Sequence, residues 1–324
     1  MSDSTLMLYS YIVRAVGLLL ALLLFLFLEP RWASFLFTLG GGILFYAGVR
    51  SKKFAVRLFG LLLQCVALYL FLDAVWYPFR ATILLNSYFL GSCFIVLSAL
   101  FSAYYLENSS ACNSVRDHWT ILLLLILGTL MWYAGGLREI YMNIILPEQF
   151  NGVLLFISAT SIVAGIIGEK IHWQKIHYIL LLQLPIMLCV LTLALISGPV
   201  DYPLLIGWGA TVWPITFFVQ FRILALLDRL EWPKLRAYFH LISLWTVLFV
   251  SCREFILKAL QLQSVSLFSI LSFTVFVTLT WLFVARIMAK RYWPVTEFPA
   301  LYLWGGGGGV ALFMFGWLIK LALP

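Results

Sequence analysis

Charged side chains are scarce in this sequence. Only 10% of its 324 residues are Asp, Glu, Lys or Arg, whereas 64% are hydrophobic. A soluble domain usually has about 25% charged and about 45–50% apolar residues. An apolar excess of this size cannot be buried in one core, because too little polar surface would remain. The composition therefore excludes a soluble globular protein and indicates that lipid is the solvent.

The short motifs of the common soluble enzymes are also missing. The sequence contains no GxGxxG, P-loop, GxSxG or HExxH pattern, and its five cysteines form no CxxC pair. His172 and His177 share a loop, but a spacing of five residues places them on different faces of a helix. We therefore expect no cofactor-binding site and no metal site, and we interpret the cysteines as packing residues.

Polar stretches long enough for a soluble domain are absent as well. The longest are 107–118 and 229–236. The net charge of +8 comes without a dense basic cluster that has interleaved aromatic residues, so we expect no nucleic-acid partner. Whatever this chain does takes place within the bilayer or at its faces.

Apolar runs follow one another along the chain. Only helices and closed barrels satisfy every backbone group in hydrocarbon, and a helix needs about 20 apolar residues to cross it. The runs are continuous rather than alternating, which excludes an outer-membrane barrel. The sequence therefore predicts an all-α, polytopic transmembrane helix bundle in a single domain, 1–324, with about ten or eleven spans. The candidate spans are 10–28, 32–49, 54–72, 84–105, 119–136, 152–168, 178–197, 203–226, 238–257, 265–287 and 300–323.

The number of spans depends on the last run, which contains five consecutive glycines, Gly305 to Gly309. Each glycine costs a helix up to about 1 kcal/mol relative to alanine. Small residues also allow neighbouring helices to approach closely in a bilayer. The run therefore either packs closely within a helix or marks a break before a short re-entrant segment.

Basic residues divide unevenly between the two sides of the bundle. With the N-terminus and the loops after even-numbered spans on one side, that side collects fifteen of the 21 Lys and Arg residues, and the other side collects six. The positive-inside rule then places the N-terminus in the cytoplasm, together with the loops 50–53, 169–177 and 228–237.

Two adjacent Arg-Glu pairs stand at the predicted outer ends of spans five and nine: Arg138-Glu139 and Arg253-Glu254. In the simpler interpretation they are interfacial residues that extend to the headgroups. In the functional interpretation they form an outer polar cluster, in which the arginines bind a lipid phosphate or a polyprenyl diphosphate. The glutamates would then orient the arginines or act as bases. Proton or ion coupling is a third interpretation.

The two pairs are each preceded by a tryptophan within the helix, Trp132 and Trp245. This recurrence suggests an internal repeat with units around 28–140 and 141–256. The spacing from tryptophan to arginine differs between the two copies, so the repeat signal is weak.

An ordered series of short pieces runs from Asn86 to Trp304. They are Asn86-Ser-Tyr-Phe-Leu, Trp132-Tyr-Ala-Gly-Gly-Leu-Arg138-Glu139-Ile140, Trp173 with Pro185, Gly207-Trp208, Trp213-Pro214, His240 with Trp245, Arg253-Glu254, Trp293-Pro294 and Leu301-Tyr302-Leu303. In order and approximate spacing the series resembles the DUF2339 group, large predicted bacterial membrane proteins of unassigned function.

The resemblance implies a multi-pass protein of the bacterial inner (cytoplasmic) membrane. We add His240, which stands in one of these pieces, to the candidate polar cluster. Typical members of that group are longer and have an N-terminal cytoplasmic segment, so we expect this chain to be a short or partial member. The group has no assigned reaction, and the resemblance therefore implies none.

We favour a non-enzymatic role, as a transport or scaffold component of the cell envelope. The alternative is a membrane-embedded transferase acting on a lipid-linked substrate at the outer face. A third hypothesis is that the chain is a subunit that only packs against partner helices. A transferase needs a carboxylate within reach of its acceptor and a basic site for the leaving phosphate. A transporter needs a polar path to the middle of the bilayer, where this sequence has few charges. The expected partners are the lipid bilayer and either a lipid phosphate or other membrane subunits.

Overall fold

The computed structural model describes residues 30–74, 83–109, 114–197, 203–229, 233–261, 293–312 and 315. The predicted spans 10–28 and 265–287 lie outside these residues, as does most of the second half of 300–323. The described residues are overwhelmingly helical and contain no β-strand.

Successive helices are connected in places by short described ranges, such as 51–53 and 144–147. In chain order they are α1 (Pro30–Arg50), α2 (Phe54–Ala74), α3 (Ser87–Glu107), α4 (Val115–Asn143), α5 (Glu148–Lys170), a 3-10 helix (Gln174–Leu182), α6 (Gln183–Ser197), α7 (Gly209–Leu227), α8 (Pro233–Gln261) and a π-helical turn (Leu301–Gly305).

The predicted fold class is confirmed. Each predicted span from 32–49 to 238–257 coincides with one of these helices or, for 178–197, with the 3-10 helix and α6 together. Within the described residues, seven helical segments are long and apolar enough to cross a membrane. The chain is therefore a polytopic helical membrane protein.

Helix ends differ from the predicted ones where a charged residue marks the predicted boundary. Helix α4 continues from the predicted end at 136 to Asn143 and therefore contains Arg138 and Glu139. Residues 137–143 contain no proline and no glycine, so the helical backbone hydrogen bonding can continue. Pro185 lies in the first turn of α6, directly after the 3-10 helix, and so within the segment that covers the predicted span 178–197.

The glycine run after Trp304 is helical as far as the described residues extend, to 312. Trp245 of α8 donates from Nε1 to the carbonyl oxygen of Gly305 at 3.0 Å. A Cβ atom added at Gly305 would lie 2.8 Å from Leu241. Of the two interpretations of this run, close packing against a neighbouring helix is the one that these contacts support.

The chain divides into two compact units, Met1–Asn143 and Ile144–Pro324. The internal repeat, with units around 28–140 and 141–256, stays a prediction. Each unit is held together in its interior by polar side chains that pair with one another.

In the first unit, small residues allow α1 and α2 to pack closely. A Cβ atom at Gly48 would lie 2.5 Å from the backbone nitrogen of Arg57, and one at Gly60 would lie 2.6 Å from that of Phe45. Gln64 of α2 donates from Nε2 to the hydroxyls of Ser98 and Ser102 on α3, at 3.2 and 3.1 Å. Hydrogen bonds of this kind between membrane helices contribute about 0.6–2 kcal/mol each.

In the second unit, Gln183 connects α5 to α6. Its Nε2 donates to Ser158 at 3.2 Å, and its Oε1 accepts from Ser161 at 2.9 Å. Ser158 in turn donates to Thr216 of α7 at 3.2 Å. The side chain of Gln183 is fully buried, so these bonds supply partners that lipid cannot offer.

Candidate functional site

Glu139 of the first Arg-Glu pair is buried at the end of α4, with 6% of its surface exposed. Its Oε1 accepts a 2.6 Å hydrogen bond from Nδ2 of Asn86. Its Oε2 accepts from the backbone N–H of Leu84 at 3.1 Å and from Nδ2 of Asn143 at 3.3 Å. Both carboxylate oxygens are thus occupied by donors of the same unit.

The loop before α3 is shaped to provide those donors. Leu84 has a φ of +62°, a left-handed conformation that is unfavourable for a bulky residue. Asn86 is the N-cap of α3, and its Oδ1 accepts from the backbone N–H of Phe89 at 2.8 Å. The amide of Asn86 therefore caps one helix and binds the carboxylate of another.

Arg138 does not pair with Glu139. Its guanidinium carbon lies 4.1 Å from the centre of the Tyr88 ring, and Tyr88 packs on Phe71 with ring centres 4.6 Å apart. No acidic side chain in the described part of the chain lies within ion-pair distance of Arg138. Its N–H donors therefore keep the capacity to bind an anion.

Glu254 of the second pair is buried at the corresponding end of α8, with 3% of its surface exposed. It accepts from the backbone N–H groups of Leu204 and Leu205 at 2.6 and 3.2 Å. Nη1 of Arg253 lies 2.9 Å from its Oε1. Both of its oxygens are occupied as well.

The two glutamates have equivalent positions in their units. Glu139 on α4 binds the loop that precedes α3, and Glu254 on α8 binds the loop that precedes α7. In each case the carboxylate of the second helix of a pair holds the chain entering the first. The arginines differ, because Arg138 stacks on a tyrosine whereas Arg253 pairs with its neighbour.

His240 lies apart from the second Arg-Glu pair. Fourteen residues of α8 separate it from Glu254, which corresponds to about 21 Å along the helix axis. It belongs instead to a group at the other end of the helix that we name the Asp228 cluster. The cluster consists of Asp228, Arg236, His240, Trp293 and Tyr302.

Asp228 is the centre of this cluster. Its Oδ1 lies 3.3 Å from Nε2 of His240, and its Oδ2 accepts a 2.9 Å hydrogen bond from Nε1 of Trp293. Nη1 of Arg236 donates to the backbone carbonyl of Asp228 at 2.7 Å. Nδ1 of His240 lies 2.8 Å from the hydroxyl of Tyr302. A neutral imidazole that donates from Nε2 to Asp228 and accepts at Nδ1 from Tyr302 satisfies all of these contacts.

The Asp228 cluster is enclosed. His240 has no exposed surface, Tyr302 is buried, and the ring of Phe298 packs on the imidazole with centres 4.5 Å apart. A carboxylate, an imidazole and a phenol in series could pass a proton along the chain. Their burial gives a substrate no access, so the arrangement acts to attach the segment 293–305 to α8.

Sequence reasoning missed Asp228, because it stands in a polar loop and its partners are 8 to 65 residues away. A usable signal was present nonetheless. His240, Trp293 and Tyr302 all lie in pieces that carry the family resemblance, and the structure brings these three together.

The fold and its membrane-length apolar helices define a multi-pass helical membrane protein. A family model described as "Predicted membrane protein (DUF2339)" matches residues 2–324. The chain therefore belongs to the DUF2339 family, as the short pieces had implied. No curated protein and no solved structure matches the chain.

Proposed function

We propose that this chain is a non-enzymatic component of the bacterial cell envelope, and that within that class it acts as a scaffold. Its proposed location is the inner membrane, with the N-terminus in the cytoplasm. The proposed partners are the bilayer and other membrane subunits, which would pack against its lipid-facing helices.

The occupancy of the buried carboxylates is the observation that supports this proposal. In the described residues, Glu139 and Glu254 each accept from at least two backbone or side-chain donors, and Asp228 accepts from His240 and Trp293. Asp117 is occupied in the same way by Arg57 and Ser114. A catalytic base needs a free lone pair that faces its substrate. These carboxylates instead fix loops and helix ends.

The polar groups within the helices favour a scaffold over a transporter. Gln64, Gln183 and Gln220 each bind serine hydroxyls on a neighbouring helix. A transport path needs groups that can exchange partners with water or an ion. Pairs of neutral, buried side chains serve to fix helices relative to one another.

Genetic complementation together with thermal stability tests the proposal. In a strain that lacks the gene, we would express Glu139→Ala, Glu254→Ala and the matching Gln variants, with the exposed Glu297→Gln as control. If the carboxylates are structural, the degree of rescue follows the Tm and the membrane level of each variant. A Gln variant with wild-type Tm and wild-type level that fails to rescue would show a chemical role and defeat the proposal.

The transferase remains the second candidate, and Arg138 is the observation that favours it. Its guanidinium is half-buried on Tyr88 and has no described acidic partner, so it could bind a lipid phosphate. Release of a labelled polyprenyl diphosphate by the purified chain, abolished in Arg138→Ala and in Arg138→Lys, would favour the transferase. Wild-type turnover in both variants would count against it.

A further inference from the structure

An open cavity of about 300 Å³ lies between α5 and α7 in the second unit, and we name it the α5–α7 groove. Its walls are apolar, with Ile162, Ile166 and Phe218 among the lining residues, and all three are largely exposed. Gly165 also lines the groove, and a Cβ atom there would meet no other atom within 4 Å. The groove therefore has room for an alkyl chain along the helix surface.

The charges of the groove lie towards the ends of the two helices. Glu169 stands one residue before the end of α5, and Arg229 stands two residues after the end of α7. Arg222 lies further in, five residues or about 7.5 Å before the end of α7. With two arginines and one glutamate, this end of the groove has a net charge of +1 (2 − 1).

The two arginines have no carboxylate partner among the described residues. Within the described chain, neither Arg222 nor Arg229 has a carboxylate within 4.0 Å, and Glu169 on the facing wall forms no ion pair. Placing an exposed arginine such as Arg222 inside the last turns of a membrane helix costs free energy unless its charge is compensated. The planar guanidinium binds phosphate oxygens through two parallel hydrogen bonds, so phosphate is the chemistry that best fits these two side chains.

We propose that the α5–α7 groove binds one anionic phospholipid of the surrounding membrane, whose phosphate contacts Arg222 and Arg229 and whose acyl chain lies along Ile162, Ile166 and Phe218. The apolar walls favour a phospholipid over a free phosphate, because a free phosphate has no acyl chain to lie along them. This site shares no residue with the Arg-Glu pairs and does not depend on the scaffold proposal.

Native mass spectrometry of the full chain in detergent, titrated with phosphatidylglycerol, tests the site. The double change Arg222→Gln/Arg229→Gln removes the phosphate ligands, and Gly165→Leu fills the groove while leaving the arginines. Lys170→Gln is the control for a positive charge lost outside the groove, since Lys170 is exposed at the same end of α5 but does not line the groove. Gly165→Ala is the control for volume.

We expect the Kd of phosphatidylglycerol to rise at least about tenfold in the double variant, because at least one charge-assisted hydrogen bond is lost. Gly165→Leu should weaken binding similarly, whereas Lys170→Gln and Gly165→Ala should leave it near the wild-type value. The Tm of each variant should stay within the wild-type range. Gly165 is next to open space, and Arg222 and Arg229 have no described carboxylate partner.

Three results would overturn the proposal. The first is an unchanged Kd in both the double variant and Gly165→Leu. The second is an equal loss in Lys170→Gln, which would indicate general attraction to a basic surface. The third is displacement of the lipid by millimolar inorganic phosphate, which would show that the acyl chain contributes nothing. A double variant that fails to fold leaves Gly165→Leu as the deciding measurement.

Discussion

Asn86 holds the buried carboxylate of Glu139: Nδ2 of the asparagine lies 2.6 Å from Oε1 of the glutamate, while its Oδ1 caps α3. Asn86→Asp keeps the cap but removes the donor and places a second carboxylate beside the first. We expect it to lower the free energy of unfolding by at least about 1–3 kcal/mol, because a buried charge loses its partner. Denaturant unfolding in detergent measures this change.

The control for Asn86→Asp is Gln174→Glu, the same amide-to-acid change at an exposed position. It should be nearly neutral. Asn86→Ala removes both the donor to Glu139 and the N-cap of α3. The loss of the cap alone should cost about 0.5–2 kcal/mol. Wild-type stability of Asn86→Asp would show that the contact with Glu139 contributes nothing.

Tyr302→Phe tests whether the Asp228 cluster attaches the segment 293–305. The change removes the hydroxyl 2.8 Å from Nδ1 of His240 and leaves a fully buried nitrogen without a donor. We expect a loss of about 1–3 kcal/mol and faster hydrogen–deuterium exchange in peptides covering 293–305. Tyr238→Phe, at a largely exposed tyrosine, should change neither. Unaltered exchange in Tyr302→Phe would refute the attachment.

Arg138→Ala and Arg253→Ala, made singly and together, test whether the two Arg-Glu pairs share a site. If each pair stabilises its own unit, as the scaffold proposal requires, the two effects add within about 0.3–0.5 kcal/mol. Arg253→Ala should be the more costly, on the order of 3–5 kcal/mol, because it leaves the buried Glu254 without its counter-charge. A coupling energy well above the additive limit would instead support a shared outer cluster.

The predicted orientation can be tested with a single engineered cysteine at Ser51, which is exposed in the turn between α1 and α2. Because basic residues concentrate on that side, we expect no reaction with a membrane-impermeant reagent in intact cells and ready reaction after permeabilisation. Ile145→Cys, exposed in the connection before α5, should show the opposite pattern. Labelling of Ser51→Cys in intact cells would invert the proposed topology.

The spans could be predicted from the sequence because few backbone conformations satisfy their hydrogen bonds in hydrocarbon. A continuous apolar run such as 152–168 has to become a helix, and α5 contains it. Helix ends were less readable. The charges of Arg138 and Glu139 suggested the end of a span, but α4 continues to Asn143 because Glu139 finds its donors in another loop.

The partners of the candidate residues could not be read from the sequence. Glu139 binds residues 53 and 55 positions away, and no local pattern marks Leu84 or Asn86 as its donors. His240 was grouped with Glu254 because both stand in pieces that carry the family resemblance. Helix rise alone separates them by about 21 Å, so the sequence itself is enough to place them at different ends of α8.

Gln183 has a consequence for how the second unit enters the bilayer. Ser158 and Ser161 reach the membrane first, and the side chain that pairs with them is synthesised 25 and 22 residues later. Thr216 follows Ser158 by 58 residues. The free-energy cost of moving a polar side chain from the translocation channel into lipid is lowest when its hydrogen-bond partner moves with it. We therefore expect α5 and the segment ending in α6 to partition into lipid as one hairpin, onto which α7 is added afterwards.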